Sequence, residues 1–283
     1  MPKETALVTG ASSGIGRETA IKLAERGFHI IAAARREKRL KDLADQFQNI
    51  TPKQVDLSQM DETEALCQYL SELESPVTVL VNNAGYSVRG ALEDVSIDVI
   101  RRIFEVNLFA LMRVTQACLP GMRKMRRGTI VNLSSIVGKF AFPCSGVYAA
   151  TKYAVEGISD ALRLELAPLG IRVVAIRPGP IATEFNDVAN NLSGDLMSRT
   201  DPDYKPIYQT AGAATGKIFK DLSIPGPDLI ADIIFGAILS DNPEAVYSAG
   251  PLSEEFLEKR QHSDDKTFHD FILERFDLAD LQV

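Results

Sequence analysis

The chain has 283 residues, 45% hydrophobic and 24% charged, with a formal net charge of −7. That length and balance describe an ordinary globular chain able to bury a sizeable core, most simply as one domain, and they exclude a disordered, fibrous or low-complexity protein. Five of the seven units of net negative charge come from Glu254 to Val283, where nine acidic residues face four basic ones, and no clustered basic excess provides the electrostatic footprint of a nucleic-acid binder.

In chain order, the apolar run TALVT (5–9) leads through a glycine-rich turn into an amphipathic stretch at 15–26, a glycine stop at Gly27 and a second run, FHIIAAA (28–34). Gly10, Gly14 and Gly16, with Ser12, Ser13 and Ile15 between them, let the backbone turn sharply and approach a pyrophosphate at a helix N-terminus, where unpaired N–H groups point outward. The spacing is G-x-x-x-G-x-G rather than the common G-x-G-x-x-G, yet strand, turn, helix and second strand supply a dinucleotide context. The second run ends in AAARREKR, with Ala34 followed by Arg35 and Arg36. An NAD site usually carries an acid here for the ribose hydroxyls, whereas guanidinium groups suit a 2′-phosphate. The expected cofactor is therefore NADP(H), with Arg35 as leading contact and Ser12, Ser13 or Arg36 assisting.

Helical periodicity follows at 37–47 and 61–73, then a strand at 77–82 (VTVLVN) and a long helix at 97–125. The basic cluster from Met122 to Arg127 reads as the end of that helix, where cations complement the dipole. Strands at 128–134, 171–176 and 244–249 alternate with helices at 146–168 and 228–240. Strands nearly continuous in apolar residues and separated by helices predict a parallel sheet covered on both faces, a doubly wound α/β (Rossmann) fold. The stretch from Ile181 to Pro227, dense in Asn, Asp, Gly and Pro with weak helical pieces such as AGAATGKIFKDL, breaks the alternation and predicts a substrate wall or lid. The expected organisation is a dinucleotide-binding domain over 1–250, including a substrate loop at 181–227, and a C-terminal helical extension of the same domain at 251–283. In that extension Phe268, Phe271, Ile272 and Phe276 fall at helical spacing, which predicts core or subunit packing ahead of a lid.

Cys67, Cys118 and Cys144 have no metal-ligand spacing and an odd count, which points to free thiols in a reducing compartment. His29, His262 and His269 show no metal or catalytic grouping, so no metal is expected. The opening MPKETALVTG enters a strand almost at once, leaving no room for a signal peptide, and no run approaches 18 apolar residues. A cytoplasmic protein without a membrane span is the expectation.

In the helix at 146–168, Tyr148 and Lys152 stand four residues apart and share one face. Together with TGASSGIG (9–16), VDLS (55–58), NNAG (82–85), VNL (106–108), NLSS (132–135), YAATK (148–152) and RPGPIAT (177–183), this pair makes the chain resemble the short-chain dehydrogenases/reductases over about residues 4–250. The resemblance implies that Tyr148 is the general acid of carbonyl reduction and the general base of alcohol oxidation, and that Ser135 polarises the carbonyl. From the residues alone either Ser134 or Ser135 can serve; the family spacing selects Ser135. It implies further that Asn107 supports a water chain to Lys152, although an asparagine inside an apolar helix is also explained by hydrogen bonds to its neighbours. A free tyrosine has a pKa near 10, and the Lys152 ammonium with an oxidised nicotinamide is expected to lower it. By the same resemblance Tyr148 and Lys152 also contact the cofactor, Asp56 and Leu57 meet the adenine, and the backbone at Asn83, Ala84 and Gly85 passes the adenosine ribose. Pro178, Gly179, Ile181 and Thr183 would hold the nicotinamide carboxamide. For Asp56, a turn or helix cap is the plain alternative.

A looser similarity of the Ile181–Pro227 region to 17β-hydroxysteroid and retinol dehydrogenases implies a lipophilic ketone, aldehyde or secondary alcohol as substrate. A homodimer or homotetramer is the family expectation, through the helices at 97–125 and 146–168. Two alternatives are a sugar-nucleotide epimerase or dehydratase, whose G-x-x-G-x-x-G spacing is absent here, and a non-catalytic dinucleotide sensor, which would retain Asn107, Ser135, Tyr148 and Lys152 without use.

Overall fold

A computed structural model describes residues 4–185, 200–220 and 222–282. Seven strands, β1 (Thr5–Thr9), β2 (His29–Ala34), β3 (Ile50–Gln54), β4 (Val77–Asn82), β5 (Gly128–Leu133), β6 (Ile171–Pro178) and β7 (Val246–Ala249), form one parallel sheet in the order β3-β2-β1-β4-β5-β6-β7. The helices are α1 (Gly14–Glu25), α2 (Glu37–Gln46), α3 (Met60–Ser71), α4 (Ile97–Phe104), α5 (Ala110–Met125), α6 (Gly146–Leu166), α7 (Lys205–Lys220), α8 (Asp228–Leu239), α9 (Ser253–Gln261) and α10 (Asp265–Arg275). The doubly wound α/β expectation is met.

Alternation along the strands assigns each side chain to one of two cores. Ala6, Val8, Ile30, Ala32, Val79 and Val81 face α1, α2 and α8, while Leu7, Ile31, Ala33 and Leu80 face α3 and α5. A third cluster sits beside the sheet: Phe256 of α9 and Phe268 and Ile272 of α10 pack with Phe276 on Phe140, Ala214 and Ile218. The C-terminal apolar positions are thus core, as their spacing suggests. Burying these rings ties the last turns of the chain to the segment preceding α6, with Phe140 and Phe256 stacked at 5.3 Å.

The structure departs from the sequence pattern in three places. β3, ITPKQ, carries no apolar alternation and contains Pro52, and it forms because it is the sheet edge, where one flank needs no partner. The helix at 97–125 is interrupted at Glu105–Phe109 by a wider turn in which Ala110 N–H bonds to Glu105 C=O, five residues back. Such single wide turns often mark functional sites, and Asn107 lies inside this one. Finally, α7 is a full helix where the sequence suggests only weak helical pieces. The rest of the expected substrate loop, 186–199 and 221, lies outside the described residues.

The strand order reverses between β1 and β4, so their carboxyl ends open a crevice at the switch point. Both halves of the candidate site converge there.

Candidate active site

At the phosphate end, Gly10 (φ +70°) and Gly14 (φ +54°) occupy the left-handed region that favours glycine. The turn is clamped from β4. Asn83 Nδ2 donates to Thr9 C=O at 2.9 Å, and the Thr9 hydroxyl accepts from the backbone N–H groups of Asn83 and Ala84 at 3.1 and 3.0 Å. A Cβ at Gly10 would lie 2.6 Å from Asn83 Nδ2, so this glycine is required by that clamp as well as by its backbone conformation. α1 begins without a side-chain cap and without an acidic residue in its first turn. Its leading N–H groups therefore present positive partial charge to the crevice, which fits a dinucleotide pyrophosphate.

The arginines after β2 differ in their surroundings. Arg35 is exposed and forms no side-chain hydrogen bond or ion pair among the described residues. Arg36 is fully engaged: Nε donates to Ser12 Oγ at 3.1 Å, Nη2 to Ser13 Oγ, and Nη1 to Glu184 Oε2 at 2.5 Å. Arg39 holds the other oxygen of Glu184 at 2.7 Å. These two cations keep the Glu184 carboxyl below the usual carboxylate range. The segment bearing Glu184 crosses the start of α1, where a Cβ at Gly14 would lie 3.1 Å from the Thr183 methyl.

At the reacting end, α6 carries Tyr148 and Lys152 on one face. Lys152 is 5% exposed, donates from Nζ to Leu133 C=O at 2.7 Å, and lies 5.8 Å from the centre of the Tyr148 ring. The Ser135 hydroxyl is within hydrogen-bonding reach of the phenol, at the start of a short turn of helix where it also accepts from Val137 N–H. Ser134 is 4% exposed and turned into the protein, its hydroxyl against Gly138. Of the two serines, Ser135 is the one beside the phenol.

Asn107 is 1% exposed and fully bonded. Its Oδ1 accepts from Tyr86 N–H at 3.0 Å, and its Nδ2 donates to Tyr86 C=O at 2.9 Å and to Thr151 Oγ1 at 3.1 Å. Satisfaction by neighbours is therefore what its side chain shows. A Cβ on Gly85 would lie 3.1 Å from Asn107 Oδ1 and 3.8 Å from Lys152 Nζ, which puts Gly85 beside the lysine.

In the chain alone, burial dominates the electrostatics of Tyr148. Burial raises the phenol, against the opposing effects of the Ser135 hydroxyl and the Arg89 guanidinium. Burial also pushes Lys152 down to about 8, and the Glu156 carboxylate one turn further along α6 resists that fall. Glu156 is itself held by Arg177 of β6, through Nε at 2.9 Å and Nη2 at 2.6 Å. Neither Arg89 nor the Glu156–Arg177 pair stands out in the sequence, because neither belongs to a local pattern.

The other expected cofactor contacts have these surroundings. The Leu57 and Ile181 side chains are buried in the two cores, so only their backbone can face a ligand. Asp56 Oδ1 accepts from Ser58 N–H at 3.0 Å, which is the turn reading, while the cap of α3 is Gln59. Gly179 donates to Ala249 C=O at 2.8 Å and packs against Pro251, while Thr183 lies beside Gly14 of the glycine turn. Among the described residues no cluster of potential metal ligands forms and no helix is long and apolar enough to cross a membrane.

Comparison with known proteins agrees with this geometry. The family model for short chain dehydrogenase matches residues 4–192. Retinol dehydrogenase 8 of Homo sapiens is 35% identical over 252 residues, covering 84% of this chain and 79% of its own. A short-chain dehydrogenase from Streptomyces avermitilis superposes with a TM-score of 0.80 at 30% identity, covering 98% of each chain. One from Sphingobium yanoikuyae, solved in complex with NADPH, gives 0.72 at 27% identity over 99% of this chain and 96% of that one.

Proposed function

Because the chain belongs to the short-chain dehydrogenase/reductase family of nicotinamide-dependent oxidoreductases, we propose that it interconverts a carbonyl and an alcohol on a small lipophilic substrate, using NADP(H). The observation that carries this reading is the grouping of Tyr148, Ser135 and Lys152 at the carboxyl end of the sheet, with Asn107 fixed behind them. A bound nicotinamide supplies the hydride chemistry, and the protein supplies position and proton handling.

Tyr148 gives its proton to the carbonyl oxygen in reduction and takes it back in oxidation. Its raised pKa keeps the phenol protonated through neutral pH, which suits the reductive direction. Ser135 holds the substrate oxygen against the phenol, and Lys152 provides a buried positive charge beside the reacting atoms. Asn107 fixes the loop after β4 through both backbone groups of Tyr86. Pro178 and Thr183 border the nicotinamide half of the crevice, Asp56 the adenine half, and Ser12, Ser13, Arg35 and Arg36 the 2′-phosphate end.

Preference for NADP(H) is supported by two arginines where an NAD site places an acid, and by the NADPH complex of the Sphingobium relative. A lipophilic substrate is supported by Phe185, whose ring lies 5.7 Å from that of Tyr148, and by the likeness to a retinol dehydrogenase. Packing of α9 and α10 onto Phe140 favours treating 251–283 as an extension of the 1–250 unit. Exposed Phe109, in the wide turn before α5, and Tyr153 and Leu164 on α6 favour a homodimer or homotetramer, and three free thiols favour the cytoplasm.

The test is oxidation of NADPH and of NADH, followed at 340 nm against steroid ketones, retinal, aromatic aldehydes and simple ketones. Turnover of a lipophilic carbonyl with NADPH preferred, reduced about 10³- to 10⁴-fold in Tyr148→Phe while cofactor binding persists, is the expected result. An undiminished rate in Tyr148→Phe would remove the proposed acid.

A further inference from the structure

The contacts around Glu184 have the form of an oxyanion site whose oxyanion is the protein's own. Two guanidiniums from the beginning of α2, Arg36 and Arg39, each take one oxygen of a single carboxylate. Arg36 is braced from behind by the hydroxyls of Ser12 and Ser13 in the glycine turn. The carboxylate arrives from far away in sequence, on the segment after β6 that crosses the mouth of the pyrophosphate site. Arg36 and Glu184 retain 43% and 45% exposure, so the pair is neither desolvated nor locked in place.

We propose that Glu184 is an internal occupant of the 2′-phosphate subsite, displaced from Arg36 when the phosphate of NADP(H) binds, and that this exchange sets how strongly the chain prefers NADP(H) over NAD(H). The inference rests on the assignment of the subsite to Arg35, Arg36, Ser12 and Ser13 made above. A phosphate offers more charge and more acceptor oxygens than a carboxylate, so it takes the guanidinium over. Glu184 then keeps Arg39. A ligand without the 2′-phosphate gives no reason for exchange, and Glu184 stays on both arginines. The carboxylate therefore opposes the binding of one cofactor and is indifferent to the other. Charge neutralisation by Glu184 lowers the pull of Arg36 on a 2′-phosphate, which makes NADP(H) selectivity lower than two bare arginines would give.

The readout is binding of half-cofactors, measured by titration calorimetry without turnover: 2′,5′-ADP and 5′-AMP, against the wild-type protein, Glu184→Gln and Glu184→Ala, with thermal melts to show that the variants fold. Both variants are expected to bind 2′,5′-ADP about two- to fivefold more tightly, the gain from freeing one exposed pair, and 5′-AMP as the wild type does. Weaker or unchanged binding of 2′,5′-ADP, or an equal change for both ligands, overturns the proposal. Failure of the NADP(H) reading appears elsewhere, in a wild type that binds the two ligands equally. If preference for 2′,5′-ADP then emerges in Glu184→Gln, the exchange stands and the wild-type cofactor assignment falls.

Discussion

The two ends of the crevice each carry an arginine–carboxylate cluster, and the two are built on opposite terms. Behind the reacting end, Arg177 and Glu156 meet through two parallel hydrogen bonds with side chains only 17% and 5% exposed. At the phosphate end, Arg36, Arg39 and Glu184 meet with 43–45% of each side chain open to water. A buried bidentate pair has given up its hydration and cannot separate without stranding a charge, so it holds β6 to α6 as one unit. An exposed cluster exchanges partners at little cost. The first arrangement suits atoms that must stay where proton transfer happens, the second a subsite that has to admit and release a charged ligand.

The largest expected effect breaks this contrast directly. Glu156→Ala leaves Arg177 buried without its counter-charge and is expected to lower unfolding free energy by about 3–5 kcal/mol, whereas Glu184→Ala is expected to cost less than about 1 kcal/mol. Denaturant titration of both variants, with unchanged slopes, measures the two losses on one scale. Equal losses would mean that burial does not separate the two clusters.

Next in size is the cation between them in function. Arg35 is exposed, outside the Arg36–Glu184 cluster, and aimed by no partner among the described residues. If it binds the 2′-phosphate, Arg35→Ala loses one charge-assisted hydrogen bond, about 1.5–3 kcal/mol, and raises KM for NADPH tenfold or more. KM for NADH is expected to stay within about twofold, since no phosphate is there to lose. A parallel rise for both cofactors would remove Arg35 from the 2′-phosphate site.

The same contrast explains what the sequence reveals. The glycine turn and the Tyr148–Lys152 pair are short-range patterns, each written within a few residues along a strand–turn–helix or one helix face. Selection of Ser135 over Ser134 needs the family spacing, because a strand end alone does not say which alternate side chain meets the crevice. Glu184 is 148 residues from Arg36, and Glu156 is 21 from Arg177, with no periodicity linking the partners. Thr9, whose hydroxyl clamps Asn83 and Ala84, reads in sequence as the end of an apolar strand and the start of the glycine motif, with no sign of its partners on β4. β3 escapes for the opposite reason: an edge strand tolerates polar residues and a proline, so the fold needs no apolar signal there. Helix spacing is silent on burial, which raises the Tyr148 phenol, and on the lysine's own partner. Four residues along a helix bring two side chains to one face, but Leu133 decides where the ammonium goes.

The smallest expected effect sharpens the role of the buried cluster. With Tyr148 raised by burial, the phenol stays protonated well past neutral pH, so a loss of reductase activity in mildly alkaline solution belongs to another group. Lys152, pushed down to about 8 by burial, is the group expected to set such a limb: its buried charge is lost as pH rises through that region, and the proposed carbonyl reduction is expected to decline with it. Glu156 is the carboxylate that resists this fall. Glu156→Gln keeps the side-chain shape and an oxygen for Arg177 while removing the negative charge. The lysine then holds its proton less well, and the alkaline limb of kcat is expected to move to lower pH by about half a unit to one unit. At pH 6 the lysine is protonated in both proteins, so their rates there should agree within about twofold. A pair that merely braces β6 against α6 would lower the rate at every pH and leave the limb in place; a limb that moves at constant acidic rate assigns Glu156 to the charge on Lys152.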